Sequence, residues 1–220
     1  ADFTGSGYTV DGLTVDVSEH SSVADAFATV VKRHGRLDVV FANAGIDAGP
    51  GFLGRVGERL KKGALENLSV QNWQRVMGIN LNGVLHTLQE SARHMKPKGR
   101  GKIIVTTSIA SYRNVAGVGT AYLPAKAAAS HLMRQAALEL AKFGIQVNAI
   151  APGAFATNIA DGHVNDPHMR RLLEGSNPQR RIADPQEIKG LALLLASSAS
   201  SYITGSEIVI DGGALLGPAD

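Results

Sequence analysis

The sequence contains no cysteine. That excludes disulfides, thiolate metal sites and a cysteine nucleophile, and it suits a reducing cytoplasm. Charge of one sign is also scarce: the formal net charge is +3, too small to argue for nucleic acid by itself. The basic residues fall in short groups, Arg59-Leu60-Lys61-Lys62 and Lys96-Pro97-Lys98-Gly99-Arg100. These read as solvated loops rather than a phosphate-tracking face. No apolar run approaches the roughly 18 residues of a membrane span, and the N-terminus does not read as a signal peptide. The seven histidines are scattered, and His163 and His168 lie in a loop-like stretch without metal-ligand spacing. Neither nucleic acid, membrane nor metal is therefore expected. With 44% hydrophobic and 19% charged residues, the 220-residue chain has the balance of an ordinary globular protein, long enough for one α/β domain. No repeat, low-complexity tract or linker divides it, so 1–220 is read as a single domain.

Helical and strand patterns alternate, which favours a doubly wound parallel sheet with helices on both faces, a three-layer α/β sandwich. Val10 to Val17 reads as a short strand. Ser22 is placed as the cap of a helix carrying Val23, Phe27 and Val31 and ending near Gly35. Leu37 to Ala42 reads as a strand running into Asn43-Ala44-Gly45, and Gly49 to Gly63 as a loop. Ser69 should cap a long helix with a stripe from Trp73 through Val76, Leu81, Val84 and Leu88 to Met95. Ile103 to Thr107 is a strand, and a helix follows from about Ala121 to Gly144. Ile145 to Ala151 and Glu207 to Ile210 complete five strands. Asp184-Pro185-Gln186-Glu187 has the pattern of a capping box ahead of a helix through Leu195.

Tyr122 and Lys126 stand four apart at the start of a helix, so both side chains project from one face. That face is the buried stripe, where a phenol and an ammonium are costly without partners. A nearby ammonium and the positive end of the helix dipole both favour phenolate. Such a tyrosine is fitted to exchange a proton with an alcohol or ketone oxygen. A tyrosine and a lysine on a helix shoulder would have the same spacing. Ser108 lies just past the end of a parallel strand, the edge where doubly wound sheets bind ligands, and its hydroxyl could donate to a substrate oxygen. Asn80 interrupts the apolar stripe of the long helix, and a core-facing amide needs partners, often at a kink. Asn43-Ala44-Gly45 follows a strand at the same edge, where small residues let a flat cofactor approach the backbone.

In this order the residues resemble the short-chain dehydrogenase/reductase family. The matching pieces are Asp16-Val17, Leu37-Asp38-Val39 with Asn43-Ala44-Gly45, Asn80-Leu81-Asn82-Gly83, Ile103 to Ser108, and Tyr122-Leu123-Pro124-Ala125-Lys126. Val147 to Gly153 with Thr157, then Ile203-Thr204-Gly205 and Asp211-Gly212-Gly213, continue the series. The resemblance implies a Rossmann-like fold and an oxidoreductase moving a hydride between NAD or NADP and a secondary alcohol or ketone. It makes Tyr122 the acid/base. Lys126 would favour its phenolate and hold the nicotinamide ribose, Ser108 would orient the substrate oxygen, and Asn80 would hold a relay water. Asn43, Ala44 and Gly45 would pass the adenosine ribose, and Asp16 and Val17 would flank the adenine. Pro152, Gly153, Phe155 and Thr157 would contact the nicotinamide end, and Ile159 to Arg180 would be a mobile lid. Homotetrameric relatives imply subunit contacts through the helices at 70–95 and 121–142.

The family's first strand–glycine-rich turn–helix, which receives the pyrophosphate, is not found. Thr4-Gly5-Ser6-Gly7 does not replace it, because only three residues precede it and Val10 to Val17 reads as strand rather than helix. The sheet is therefore expected to lack its first two strands, leaving a gap between the Val10–Val17 strand and the next, and the chain reads as incomplete at its N-terminus. A catalytically silent fragment or binding protein on the same scaffold is the rival reading. Substrate, NAD or NADP, and direction of catalysis stay open.

Overall fold

The structure is a computed structural model, and it describes residues 7–54, 57–159 and 166–217. The helices and strands follow in the order α1 (His20–His34), β1 (Val39–Ala42), α2 (Val70–Met77), α3 (Gly83–Met95) and β2 (Gly101–Thr106). Then come α4 (Tyr122–Leu140), β3 (Ile145–Pro152), α5 (Pro167–Ser176), α6 (Lys189–Ala196) and β4 (Glu207–Ile210). The strands form one sheet in the order β1-β2-β3-β4, every neighbouring pair parallel. Val40 pairs with Ile103 and Ile103 with Val147, so all chain ends of the strands lie along one edge.

Alternation along the strands divides the core in two. Val40, Ala42, Ile103, Val105, Val147 and Ala149 face one layer, built from Val84, Leu88 and Met95 of α3 and Ala129, Met133 and Ala137 of α4. Ile104, Ile150 and Ile208 face the other, covered by Leu191, Ala192 and Leu195 around α6. Helices thus cover both faces, the three-layer sandwich read from the sequence.

Several expectations need correction. The described residues contain four strands, not five. Val10 to Val17 has the alternation of a strand but pairs with nothing in the sheet, and Val10, Leu13 and Val15 are exposed. A period-two pattern specifies which side chains share a face; only a neighbour with free backbone groups makes a strand. The expected internal gap is not there either: the four strands are consecutive neighbours, and β1 is an edge with Phe41 exposed. Helix α1 starts at His20, two residues before its expected cap, and the Ser22 hydroxyl accepts instead from the Asp16 amide at 3.0 Å. Gly35, with φ 71°, ends it as read.

Ser69 does cap α2, accepting from the Asn72 amide at 3.2 Å. The long helix is not uniform, however: a π-helical turn over Gly78–Asn82 separates α2 from α3. The stretch from Gly49 to Gly63 is more than loop, because Leu53 and Arg59 form an antiparallel bridge and Lys61–Gly63 a 3-10 turn. A Cβ on Gly63 would overlap the Gly51 carbonyl oxygen, so this turn closes only with glycine. His168 lies in the first turn of α5, not in a loop, with Asp166 accepting from the His168 and Met169 amides; His163 falls outside the described residues. The capping box at Asp184 and Glu187 is present and opens a 3-10 turn leading into α6.

Candidate active site

Three strand ends converge on the C-terminal edge of the sheet. β1 runs into Asn43, β2 into Ser108 and β3 ends at Pro152. The Thr106 hydroxyl donates to Asn43 Oδ1 at 2.9 Å and ties the first two ends together. α4 begins at Tyr122, which brings Tyr122 and Lys126 to its first two turns. Pro124 fits there because the first turn needs no amide donor at that position. Both functional side chains are buried, Tyr122 9% and Lys126 3% exposed.

Lys126 Nζ donates to the Thr106 carbonyl at 2.7 Å and sits 5.7 Å from the centre of the Tyr122 ring. Ser108 is extended at φ −170°, accepts from the Ala110 amide at 3.1 Å, and its hydroxyl is near enough to the Tyr122 phenol to favour the ionised form. The Thr106 carbonyl is a partner the sequence did not disclose, because backbone groups carry no residue signature.

Asn80 is fully buried in the π-helical turn. Its Oδ1 accepts from the Ile46 amide at 2.8 Å and its Nδ2 donates to the Ile46 carbonyl at 2.7 Å. The amide that breaks the apolar stripe therefore reads a loop backbone as a strand would. A Cβ on Gly45 would lie 3.2 Å from Lys126 Nζ and 3.3 Å from Asn80 Oδ1, so this glycine lies against both side chains. Asn72 Nδ2 donates to the Ala48 carbonyl at 2.8 Å, so Ile46 and Ala48, on either side of Asp47, are both held by α2 and the turn after it.

Electrostatics correct one expectation. Lys126 and the helix dipole were expected to favour phenolate. Burial instead pushes the Tyr122 phenol up to about 12, opposed by the nearby Ser108 hydroxyl and reinforced by the Asp47 carboxylate. Burial likewise pulls Lys126 down to about 8. Removing water from both groups outweighs their attraction. At neutral pH the phenol is a proton donor.

The other sequence candidates fall into two groups. Asn43 and Ala44 are exposed at the end of β1, with Pro152 and Gly153 half-buried at the end of β3. A Cβ on Gly153 would lie 2.7 Å from Asp211 Cβ, so that glycine also serves packing against the chain after β4. Phe155 is buried and bridges to Ala183, and Thr157 is exposed beyond it. Asp16 and Val17 have other anchors: Asp16 Oδ1 accepts from the Ser18 amide and hydroxyl, and the Val17 carbonyl meets His86 Nδ1 at 3.0 Å. A cavity of about 590 Å³ lies between Ala48, Lys61, Lys62, Asn72 and Thr120, and none of Ser108, Tyr122 and Lys126 lines it.

Comparison with known proteins agrees with this arrangement. The family described as enoyl-(acyl carrier protein) reductase matches residues 4–214. Sorbose reductase of Schizosaccharomyces pombe is 39% identical over 180 residues, covering 81% of this chain and 65% of that protein. Gluconate 5-dehydrogenase of Gluconobacter oxydans is 32% identical over 213 residues, covering 94% and 78%. The chain therefore spans about two thirds to four fifths of these relatives' length. A gluconate 5-dehydrogenase from Burkholderia cenocepacia, solved with NADP and tartrate, superimposes with a TM-score of 0.86 at 31% identity, over 97% of this chain and 78% of that one. With a family model matching residues 4–214 and relatives similar over nearly its whole length, the chain belongs to the short-chain dehydrogenase/reductase family.

Proposed function

We propose that this chain interconverts a secondary alcohol and a ketone with NAD or NADP, and that Tyr122 carries the proton. The observation that supports this most is the burial of Tyr122 and Lys126 together, with Lys126 Nζ 5.7 Å from the Tyr122 ring and Ser108 at the adjacent end of β2. Ketone reduction needs a proton at the carbonyl oxygen, and a phenol pushed up to about 12 is fitted to donate it. The Ser108 hydroxyl steadies the same oxygen as negative charge develops. The alcohol is released with Tyr122 reprotonated from solvent, and oxidation runs the same proton path in reverse. A bound nicotinamide supplies or accepts the hydride.

The residues present suit such a cofactor. Gly45 keeps a side chain from pressing on Lys126 and Asn80, and Asn43 and Ala44 leave the end of β1 open. Lys126 would hold the nicotinamide ribose, Asn43 to Gly45 would pass the adenosine ribose, and Pro152, Gly153, Phe155 and Thr157 would meet the nicotinamide end. Asp16 and Val17 would flank the adenine, and Asn80 would hold a water of the proton relay. Relatives named as a sorbose reductase and gluconate 5-dehydrogenases favour a small polyhydroxy substrate. We further read the chain as a single catalytic domain of a cytoplasmic homo-oligomer, a tetramer or a dimer, packed through the helices at 70–95 and 121–142.

Fluorescence titration with NADH and NADPH tests the reading. Saturable binding of one or both is the expected result, and the tighter one is the working cofactor. A folded protein that binds neither would favour the silent scaffold. The observation on that side is the lack, among the described residues, of a strand leading through a glycine-rich turn into an α-helix.

A further inference from the structure

Glu207 opens β4 and turns its carboxylate into the protein, where the side chain is 3% exposed. Backbone pairing with Ala149 through Pro152 already fixes β4 against β3, so the strand does not need the carboxylate to hold it. Nor is a buried charge a good stabiliser in itself, because an apolar side chain of similar volume often serves as well. The groups that the carboxylate touches lie on the two elements that carry the site.

The first element is the 3-10 turn Ile109–Ser111, which begins at Ser108. At its far end the Ser111 hydroxyl lies 2.6 Å from the Ser108 carbonyl oxygen and 3.1 Å from Glu207 Oε1, one proton shared between two acceptors. The second element is α4. Tyr122, Lys126, Ser130 and Arg134 follow one another at four-residue spacing and share one ridge of that helix. Ser130, itself buried, donates to Glu207 Oε2 at 2.5 Å. Arg134 Nη1 donates to Ser130 Oγ at 3.0 Å and lies 3.4 Å from the same carboxylate oxygen. A single carboxylate therefore joins the turn that begins at Ser108 to the ridge that begins at Tyr122.

We propose that Glu207 is a positioning residue that sets where the Ser108 hydroxyl stands relative to the Tyr122 phenol, by bracing Ser111 against Ser130. The proposal rests on the oxidoreductase reading above and adds a residue to its machinery. The action is indirect, through the two serines. A reacting oxygen has to meet Ser108 and Tyr122 at once, and a displacement of about 1 Å between such groups costs on the order of a hundredfold in rate. Without the brace the turn keeps its own backbone bonds, from the Ser111 amide to the Ser108 carbonyl and from the Tyr112 amide to the Ile109 carbonyl. It persists as a turn and loses its fixed place against α4. The residues read as cofactor contacts, Lys126 apart, lie on other segments, and Lys126 keeps its bond to the Thr106 carbonyl.

The test measures kcat with L-sorbose and 5-keto-D-gluconate as ketones and NADH and NADPH as reductants, beside nucleotide Kd from fluorescence titration. Glu207→Ala should lower kcat by about tenfold or more while Kd stays within about threefold of wild type. Glu207→Gln keeps the side-chain length and an acceptor oxygen for Ser111, and should recover most of that loss. Ser111→Ala should lower kcat by a similar factor. Because both changes break one link, a protein carrying Glu207→Ala and Ser111→Ala together should lose no more than about threefold beyond the larger single loss. Losses that multiply in the combined variant would overturn the proposal. So would a nucleotide affinity that falls in step with kcat, or a Glu207→Gln protein no better than Glu207→Ala. Should Glu207→Ala fail to fold, Ser111→Ala removes a single oxygen from the same link, and an unchanged kcat there is equally contrary. No turnover of either ketone by a folded wild-type protein would count against the oxidoreductase reading itself and would take this proposal with it.

Discussion

At the scale of single residues the site is a set of costly burials with named compensation. Lys126 is the clearest case. Its ammonium donates to the Thr106 carbonyl at 2.7 Å, and burial lowers it to about 8 from an ordinary 10.5. The folded state then binds this proton more weakly than the unfolded chain. Charging Lys126 costs stability below pH 8, and the cost is relieved as pH rises toward 10.5. Tyr122 acts in the opposite sense and higher, removing stability between pH 10 and about 12. Urea unfolding between pH 7 and 10 should therefore show wild-type stability rising, with roughly 3 kcal/mol at stake in the full Lys126 shift. Lys126→Met should lack that rise. A parallel rise in the variant would contradict the burial account.

At the scale of elements, the π-helical turn joins two jobs. It lets α2 and α3 keep one apolar stripe against the core while Asn80 leaves the stripe to grip Ile46. Asn80→Ala would strand the Ile46 amide and carbonyl, and should cost about 2–4 kcal/mol in urea unfolding. A loss near zero would show that the turn does not depend on this grip. The sequence disclosed the amide in an apolar stripe and its need of a partner, but not which one, because Ile46 contributes only backbone. The same limit explains Val10 to Val17. Its alternation was legible, but nothing in the segment itself says whether a strand will lie beside it. Where local and long-range signals coincide the reading holds, as with the Asp184 capping box and the strand Glu207–Ile210.

At the scale of the molecule, the ordered motifs translate into one edge of a parallel sheet, with Asn43, Ser108 and Pro152 at three strand ends and Tyr122 opening the helix between. That placement was legible because ligand edges follow from parallel topology. The protonation of Tyr122 was not, since burial is a property of the packed whole. The outer faces of the long helices carry exposed Val70, Leu85 and Leu138, apolar surface of the kind that subunit contacts cover. Light scattering should give the mass of a tetramer or a dimer, and Leu138→Glu should lower it; a wild-type monomer would contradict this assembly. The central claim is the proton path through Tyr122. Its most direct test compares NAD(P)H-dependent ketone reduction by the wild type and Tyr122→Phe, alongside cofactor affinity. The account predicts a loss in kcat of about a thousandfold with cofactor binding within a few-fold of wild type. Equal turnover in the two proteins would contradict it.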